Sequence, residues 1–277
     1  MVIQNLKSTV VKKQGLKNKD FLRNLLKEEL QVFVLNFVYT SSMYRNLIFT
    51  GGTCLRKFYN LPRISEDLDL DIDTKAFDFS LFQKNIKNYF YKDLQYKDLD
   101  LKFKNQTLFL RFPVLWEIGF SKRSDTNILF LRLDFAFNKS KNFKTEKLLF
   151  SSYDFSFLVR AYDFSTLMAN KAAAFLTREY KKGREQAEPF KGRDVFDLVW
   201  MLGKSKEFGQ KMNLKRVYDL TGITTKAELS QKILEKAGKI RTEDLFNDLK
   251  GFFESLDFVS GFCQNFRDLF EANIKYL

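Results

Sequence analysis

The sequence is 277 residues long, 45% of it is hydrophobic, and its formal net charge is +13. This length and apolar content exclude a disordered chain and allow one large domain or two ordinary ones. The absence of histidine excludes Ser-His-Asp and Cys-His catalysis and His-ligated zinc. Any catalysis must therefore use carboxylates, Lys, Arg, Tyr or a metal ion bound by oxygen atoms. The positive charge predicts a polyanionic partner, although AT-rich coding bias also produces sequences rich in Lys and Phe.

The sequence also carries signals of cellular location. Cys54 and Cys263 are too few for a disulfide framework. Residues 1–15 lack the apolar segment of a secretory signal, and we find no apolar stretch long enough for a membrane span. We therefore expect a cytoplasmic protein without membrane contact.

Up to about residue 160 the apolar patterns alternate between helical and strand periodicity. The predicted elements, in chain order, are a helix at 19–39, a strand at 46–50, helix 53–59, strand 68–72, helix 78–91, and strands at 108–113, 115–120 and 128–137. A hairpin turn is predicted at 121–125, between the last two strands.

After residue 160 only helical patterns follow. The predicted helices are 164–180, 193–203, 224–237, 241–257 and 258–276. The fold class predicted is therefore α+β, with a mixed β-sheet flanked by helices in an N-terminal domain, 1–158, and an all-helical C-terminal domain, 159–277.

Four aspartates alternate with apolar residues at the predicted strand 68–72: Asp67, Asp69, Asp71 and Asp73. Side chains two residues apart on a strand share one face, so these carboxylates would repel one another unless a positive charge lies among them. Magnesium favours such carboxylates together with substrate phosphates. The alternative is an edge strand whose aspartates face water, although Asp is a poor strand former.

Gly51, Gly52 and Thr53 lie between a predicted strand and a predicted helix. Glycines at such a point let backbone amides approach a phosphate, and the helix N-terminus favours an anion. Gly-Gly alone is weak evidence, since any tight turn can use it. Combined with the acidic strand, it predicts a phosphate cradle beside a metal site.

Asp134 is the one acid in the apolar strand ILFLRLDFAF. A carboxylate there costs free energy unless it is paired, so it is either a third metal-site carboxylate or a structural partner of Arg132. Lys171 lies in an apolar, alanine-rich helix, where it either extends to solvent or binds an anion. Asp194, beside Arg193, opens a predicted helix and could cap it.

Four motifs occur in order: GGT at 51–53, RISEDLD at 63–69, ANKAAA at 169–174 and RDVFDL at 193–198. In this order they resemble the AbiEii/AbiGii-toxin family of nucleotidyltransferases, within the polymerase-β-like superfamily. The resemblance implies a nucleotidyltransferase-like sheet domain, magnesium and a nucleoside triphosphate substrate. The additional Asp71 and Asp73 are not required by the family pattern, so Asp71 could replace Asp67 or Asp69 as a ligand.

The resemblance also implies roles for individual residues. The implied nucleotide-binding residues are Gly51, Gly52, Thr53, Arg63, Ser65, Lys171 and Arg193. The implied catalytic residues are Asp67, Asp69, Asp134, Lys171 and Asp194, and the first three of these are the implied metal ligands.

The resemblance implies transfer of a nucleoside monophosphate to an acceptor. RNA, with the tRNA 3′ end as the named candidate, is favoured over a protein hydroxyl. It also implies a toxin of a toxin–antitoxin or phage-defence system, held in check by an antitoxin. The basic segment 178–193 would be a loop that either contacts a nucleic-acid backbone or is only solvated. A metal-dependent nuclease, a nucleic-acid-binding module without catalysis and a nucleotide-binding regulator remain alternatives.

Overall fold

The structure, a computed structural model, describes residues 1–152, 154–178 and 190–277. The chain divides into two compact units. The first comprises Met1–Asn138 and Glu146–Ala161, and the second comprises Lys139–Thr145 and Tyr162–Leu277. The domain boundary predicted after residue 158 stays a prediction, because compactness alone does not test independent folding. Most of residues 178–193, the predicted basic loop, lies outside the described residues.

The first unit combines helices and strands. Its helices are α1 (Val2–Lys12), α2 (Lys19–Thr40), α3 (Gly51–Tyr59) and α4 (Phe79–Asn88), the last followed by a π-helical turn at Tyr89–Asp93. The strands are β1 (Ile48–Thr50), β2 (Asp67–Ile72), β3 (Asp100–Lys104), β4 (Thr107–Pro113), β5 (Ile128–Phe137), β6 (Thr145–Ser151) and β7 (Ser156–Tyr162).

Within the described residues these strands form one sheet in the order β3-β4-β5-β2-β1-β7-β6. The sheet is mixed, because β2 runs parallel to β5 and β1 runs parallel to β7, while β4 is antiparallel to β5. Leu68, Leu70 and Ile72 of β2 are at most 2% exposed and form part of the core. The aspartates of β2 alternate with them, so they lie on the opposite face of the sheet.

The predicted α+β class is confirmed, and strand 128–137 has the predicted bounds. The strand predicted at 115–120 is wrong. Backbone amides of Ile118 and Gly119 donate to the carbonyls of Val114 and Trp116, so this segment is a sequence of turns. Gly119 also has φ of +73°, which is incompatible with a strand. The apolar run had suggested a strand, but only Leu115 and Ile118 of its residues are buried.

The second unit is helical. Its helices are α5 (Phe164–Thr177), α6 (Gly192–Phe208), α7 (Leu214–Thr221), α8 (Lys226–Lys239), α9 (Thr242–Leu249) and α10 (Leu256–Asn273). The prediction of a single helix at 241–257 is wrong. The helix α9 ends at Leu249, and Ser255 caps the next helix, α10, by accepting a hydrogen bond from the amide of Phe258. None of the helices in the described part of the chain is both long and apolar enough to cross a bilayer.

Candidate active site

Two parallel strands bring three of the predicted carboxylates to one face of the sheet. Asp69 of β2 pairs in register with Asp134 of β5, and Asp67 pairs with Arg132. Registered neighbours on adjacent strands point to the same side, so the four side chains share the half-exposed face. The sequence placed each carboxylate on a strand, and the register brings the strands together.

The guanidinium of Arg132 lies among these carboxylates. Its Nε and Nη2 donate to Asp134 Oδ2 at 2.9 and 2.6 Å, and Nη2 lies 3.5 Å from Asp67 Oδ2. The Thr107 hydroxyl donates to the other oxygen, Asp134 Oδ1, at 2.6 Å. Burial opposes the charge on Arg132, but Asp67 and then Asp134 outweigh it, so the pKa of the guanidinium is raised. The structural partnership of Asp134 with Arg132, an alternative at the level of sequence, is present.

Among residues 1–152, 154–178 and 190–277, no three or more Cys, Asp or Glu side chains are drawn together as a metal-ligand set. The donor chemistry nevertheless fits a hard divalent cation, because Asp67, Asp69 and Asp134 present carboxylate oxygens on adjacent strands. In this structure a guanidinium neutralises two of the three carboxylates.

The first glycine of the pair makes close contact with the acidic strand. Gly51 has φ of +79°, and a Cβ built on it would overlap Asp69 Oδ2. Only glycine therefore lets the backbone at the start of α3 approach Asp69 this closely. The two glycines belong to the first turn of α3, whereas the sequence predicted that the helix begins at 53.

The second glycine lies against Arg63 and Ser65. A Cβ on Gly52 would lie 2.5 Å from Arg63 Nη2 and 3.0 Å from Ser65 Oγ. Arg63 is 2% exposed and donates to the Ile64 carbonyl at 2.8 Å, while the Ser65 carbonyl accepts from Gln31 at 2.7 Å. Both side chains are thus part of the buried support of the glycine turn, and their binding of a nucleotide stays a prediction.

Thr53 holds the acidic strand β2 through a hydrogen bond to its main chain. Its side chain is fully buried, and its hydroxyl donates to the main-chain carbonyl of Asp67. This bond ties the first turn of α3 to the beginning of β2. The N-terminus of α3 receives no capping hydrogen bond from the Thr50 side chain, so its amides and dipole favour an anion beside the carboxylates.

The two additional aspartates differ in their surroundings. Asp73 forms an ion pair with Arg160, whose Nη2 lies 2.8 Å from Asp73 Oδ2, so a structural partner explains it. Asp71 stays on the same face as Asp67 and Asp69, but its registered neighbour on β5 is Ala136. The register therefore favours the pair Asp67 and Asp69, which adjoin Arg132 and Asp134.

In the second unit, Lys171 of α5 contacts two buried carboxylates of α6. Lys171 Nζ lies 2.8 Å from Asp197 Oδ2 and 3.3 Å from Asp194 Oδ1. Arg178 Nη1 lies 2.5 Å from Asp194 Oδ2. Sequence reasoning missed the role of Asp197 at this site, although it is fully buried and is the nearer partner. Its spacing of three residues from Asp194, on one face of a helix, was the available signal.

The alternative in which Asp194 caps α6 does not describe this structure. The residue before the helix is Lys191, without a side-chain capping bond, and Asp194 pairs with Lys171 and Arg178. Arg193 instead places its guanidinium 4.5 Å from the ring centroid of Phe252. The roles that the resemblance implied for Lys171, Asp194 and Arg193 stay predictions.

Replacing Gly51 by alanine should destabilise the protein and lower any activity that depends on Asp69. The left-handed backbone costs about 1–2 kcal/mol with a Cβ, and the overlap with Asp69 adds to that cost. Gly119→Ala is the matched control, because φ there is +73° and no atom lies within 4 Å of the added Cβ. Urea denaturation of both variants measures the difference. Equal destabilisation would contradict the close approach of Gly51 to Asp69.

Replacing Arg132 by glutamine should strengthen binding of a divalent cation, on the order of tenfold. The reason is that the Arg132 guanidinium competes with the cation for Asp67 and Asp134. Solvent screens the attraction between these charges only in part, because the site is half-exposed. Mn²⁺ binding followed by electron paramagnetic resonance measures the change. Arg111→Gln is a control on the neighbouring strand β4, at the far end of the same sheet face. Weaker Mn²⁺ binding by Arg132→Gln would show that the arginine supports the site.

Asp69 and Asp134 thus lie on adjacent parallel strands beside the glycine-led start of α3. A family model described as "Nucleotidyl transferase AbiEii toxin, Type IV TA system" matches residues 38–272. The chain therefore belongs to this family of nucleotidyltransferase toxins of type IV toxin–antitoxin systems. The resemblance seen in the sequence motifs is confirmed.

Solved structures with a similar fold include MenT4, a nucleotidyltransferase toxin from Mycobacterium tuberculosis H37Rv. Its TM-score is 0.57 at 14% identity, over 100% of this chain and 90% of that chain. JHP933 from Helicobacter pylori gives a TM-score of 0.48 at 14% identity, over 91% of this chain and 93% of that chain. No curated protein in the comparison matches the sequence. At 14% identity, the likeness to MenT4 shows the fold alone.

Proposed function

We propose that this nucleotidyltransferase moves a nucleoside monophosphate from a nucleoside triphosphate to RNA, with the 3′ end of tRNA as the first candidate acceptor. The observation that carries the proposal is the registered pair of Asp69 and Asp134, with the glycine-led start of α3 against Asp69. The N-terminus of α3 favours an anion, and the carboxylates of Asp67, Asp69 and Asp134 lie beside it. A triphosphate bound together with a cation requires this combination.

Each residue of the first unit takes a role that follows from its position. The amides of Gly51 and Gly52, at the start of α3, bind the triphosphate. Thr53 is a positioning residue, because its hydroxyl holds the main chain at Asp67. Asp67 and Asp69 hold a divalent cation, which when bound supplies positive charge that stabilises the triphosphate during transfer. Asp134 is the third carboxylate of this group.

The reaction is an in-line displacement at the α-phosphorus. A hydroxyl oxygen of the acceptor bonds to that phosphorus as its bond to the oxygen bridging to the β-phosphorus breaks, and pyrophosphate leaves. Asp134 accepts the proton of the acceptor hydroxyl. The Thr107 side chain orients the Asp134 carboxylate by donating a hydrogen bond to its Oδ1. Cys54 is no competitor as nucleophile, because burial and then Asp69 raise the pKa of its thiol.

An RNA acceptor is supported by charge. The formal net charge of +13 favours a polyanion over a neutral protein hydroxyl. Within a type IV toxin–antitoxin system, the modified RNA would be a component of the host cell, and an antitoxin would oppose the effect. A role in abortive infection and a cytoplasmic location belong to the same proposal.

The experiment is incubation of the protein with total RNA, Mg²⁺ and each α-³²P-labelled nucleoside triphosphate in turn. Label should appear on RNA with at least one nucleotide. Oxidation of the RNA 3′-terminal diol by periodate beforehand should prevent it, because the attacking hydroxyl is then lost. Label on protein instead of RNA, or shortened RNA without label, would contradict the proposed acceptor or the proposed transfer.

A further inference from the structure

The carboxylate face of the sheet continues away from Asp134 toward β3. Asp134 pairs with Thr107 of β4, and Thr107 pairs with Lys104 of β3. The next row runs from Arg132 through Phe109 to Lys102. Three strand spacings, roughly 14 Å, thus separate the aspartates of β2 from a pair of exposed lysines on the same face.

Two phenylalanines lie on this face although the core is on the other side. On β5, Leu129, Leu131 and Leu133 are fully buried, whereas Phe130 is 43% exposed. Phe109 of β4 alternates in the same way with buried leucines and is half-exposed. Burial does not explain a large aromatic side chain on the solvent face of a strand, and the exposed part of the Phe130 ring is available for stacking.

The same face bears more positive than negative charge beyond Asp134. Lys102 and Lys104 are exposed, and Arg111 lies over the Phe130 ring with its guanidinium carbon 5.8 Å from the centroid. One opposing acid, Asp100, lies 2.8 Å from Arg111. A surface with two exposed lysines on β3 beside Phe109 of β4 and Phe130 of β5 matches the phosphates and bases of a single-stranded nucleic acid.

In the opposite direction along the sheet, toward β1, the face is not open to an RNA strand. Asp69 pairs on β1 with Thr50, which is 7% exposed, and α3 begins at the next residue. The start of α3 is also where the proposed triphosphate binds. An RNA strand that reaches Asp134 can therefore lie along the side formed by β4 and β3.

We propose that the face formed by Lys102, Lys104, Phe109, Arg111 and Phe130 binds the acceptor as single-stranded RNA. Bases stack on the phenylalanines, phosphates lie near the lysines, and the terminal hydroxyl points toward Asp134. This inference rests on the proposed function and specifies its acceptor as an unpaired RNA end.

The test is fluorescence anisotropy with a labelled single-stranded 12-nucleotide RNA. Phe130→Ala and the double variant Lys102→Ala/Lys104→Ala should each weaken binding about tenfold. The lysine variant should also lower the slope of log K against log salt by about 1.4, since two phosphate contacts are lost. Binding of a fluorescent triphosphate should stay unchanged in both variants.

Matched controls lie in the same unit. Lys84→Ala/Lys87→Ala makes the same charge change on α4, whose Phe82 packs on Phe135 at the core face of the sheet. Tyr91→Ala removes an aromatic ring that is 48% exposed outside this face. Both controls should bind the RNA as the unmodified protein does.

The outcomes separate the two proposals. If the unmodified protein labels RNA but the face variants and the controls bind it equally well, the acceptor surface lies elsewhere and only this inference fails. If the unmodified protein binds triphosphate but neither binds nor labels RNA, the proposed acceptor is wrong and this inference falls with it.

Discussion

Asp67→Asn and Asp69→Asn should each lower nucleotidyl transfer by on the order of 10³-fold or more while the protein stays folded. Each variant removes one negative charge from the proposed cation site, and loss of several kcal/mol of transition-state stabilisation corresponds to this factor. Folding should be maintained, because relief of repulsion between half-exposed carboxylates offsets the loss of contacts such as that of Asp67 with Arg132. Initial rates of label transfer, with thermal unfolding measured in parallel, give both quantities.

Asp71→Asn is the matched control for these variants. Asp71 lies on the same strand and the same face, but its neighbour on β5 is Ala136. Its transfer rate should stay within a few-fold of the unmodified protein. A loss as large as that of Asp67→Asn would mean that the cation pair is shifted by two residues along β2.

Lys171→Ala should cost about 3 kcal/mol or more of unfolding free energy. Asp197 is fully buried and Asp194 is 2% exposed, so removing the ammonium group takes away a positive partner from two buried carboxylates. Urea denaturation measures the change. Lys204→Ala, which removes an exposed partner of Glu207 on α6, should cost less than about 1 kcal/mol.

A double variant separates the ion pair from simple loss of packing. Lys171→Ala/Asp197→Ala should be less destabilised than the sum of the two single variants, because the buried charge is removed together with its partner. Strict additivity would contradict a coupled ion pair between α5 and α6. A large loss of transfer without loss of stability in Lys171→Ala would instead support the predicted contact with triphosphate.

Local patterns predicted much of the fold because they report burial on single elements. Strand 128–137 and helix 19–39 follow from their apolar periodicity, and both were found with nearly the same bounds. Residues 115–120 have an equally apolar sequence, but Gly119 and short-range hydrogen bonds produce turns there. The short helix α7 and strands β3, β6 and β7 were not predicted, because their partly exposed faces weaken the apolar pattern.

The candidate site was less accessible to sequence reasoning because it depends on register. The pairing of Asp69 with Asp134 joins residues far apart in the chain, and no local pattern specifies which residues of β2 and β5 lie side by side. The same register places Arg132 beside Asp67. Likewise, Asp197 could be assigned to Lys171 only once α5 and α6 were packed together.

Nucleotidyl transfer is tested most directly by comparing two labels on the same triphosphate. The protein is incubated with RNA, Mg²⁺ and either α-³²P-labelled or γ-³²P-labelled nucleotide. We expect that the α label moves to RNA and that an equal amount of the γ label appears in pyrophosphate. Label on the acceptor from the γ position, or release of pyrophosphate without any labelled acceptor, would contradict it.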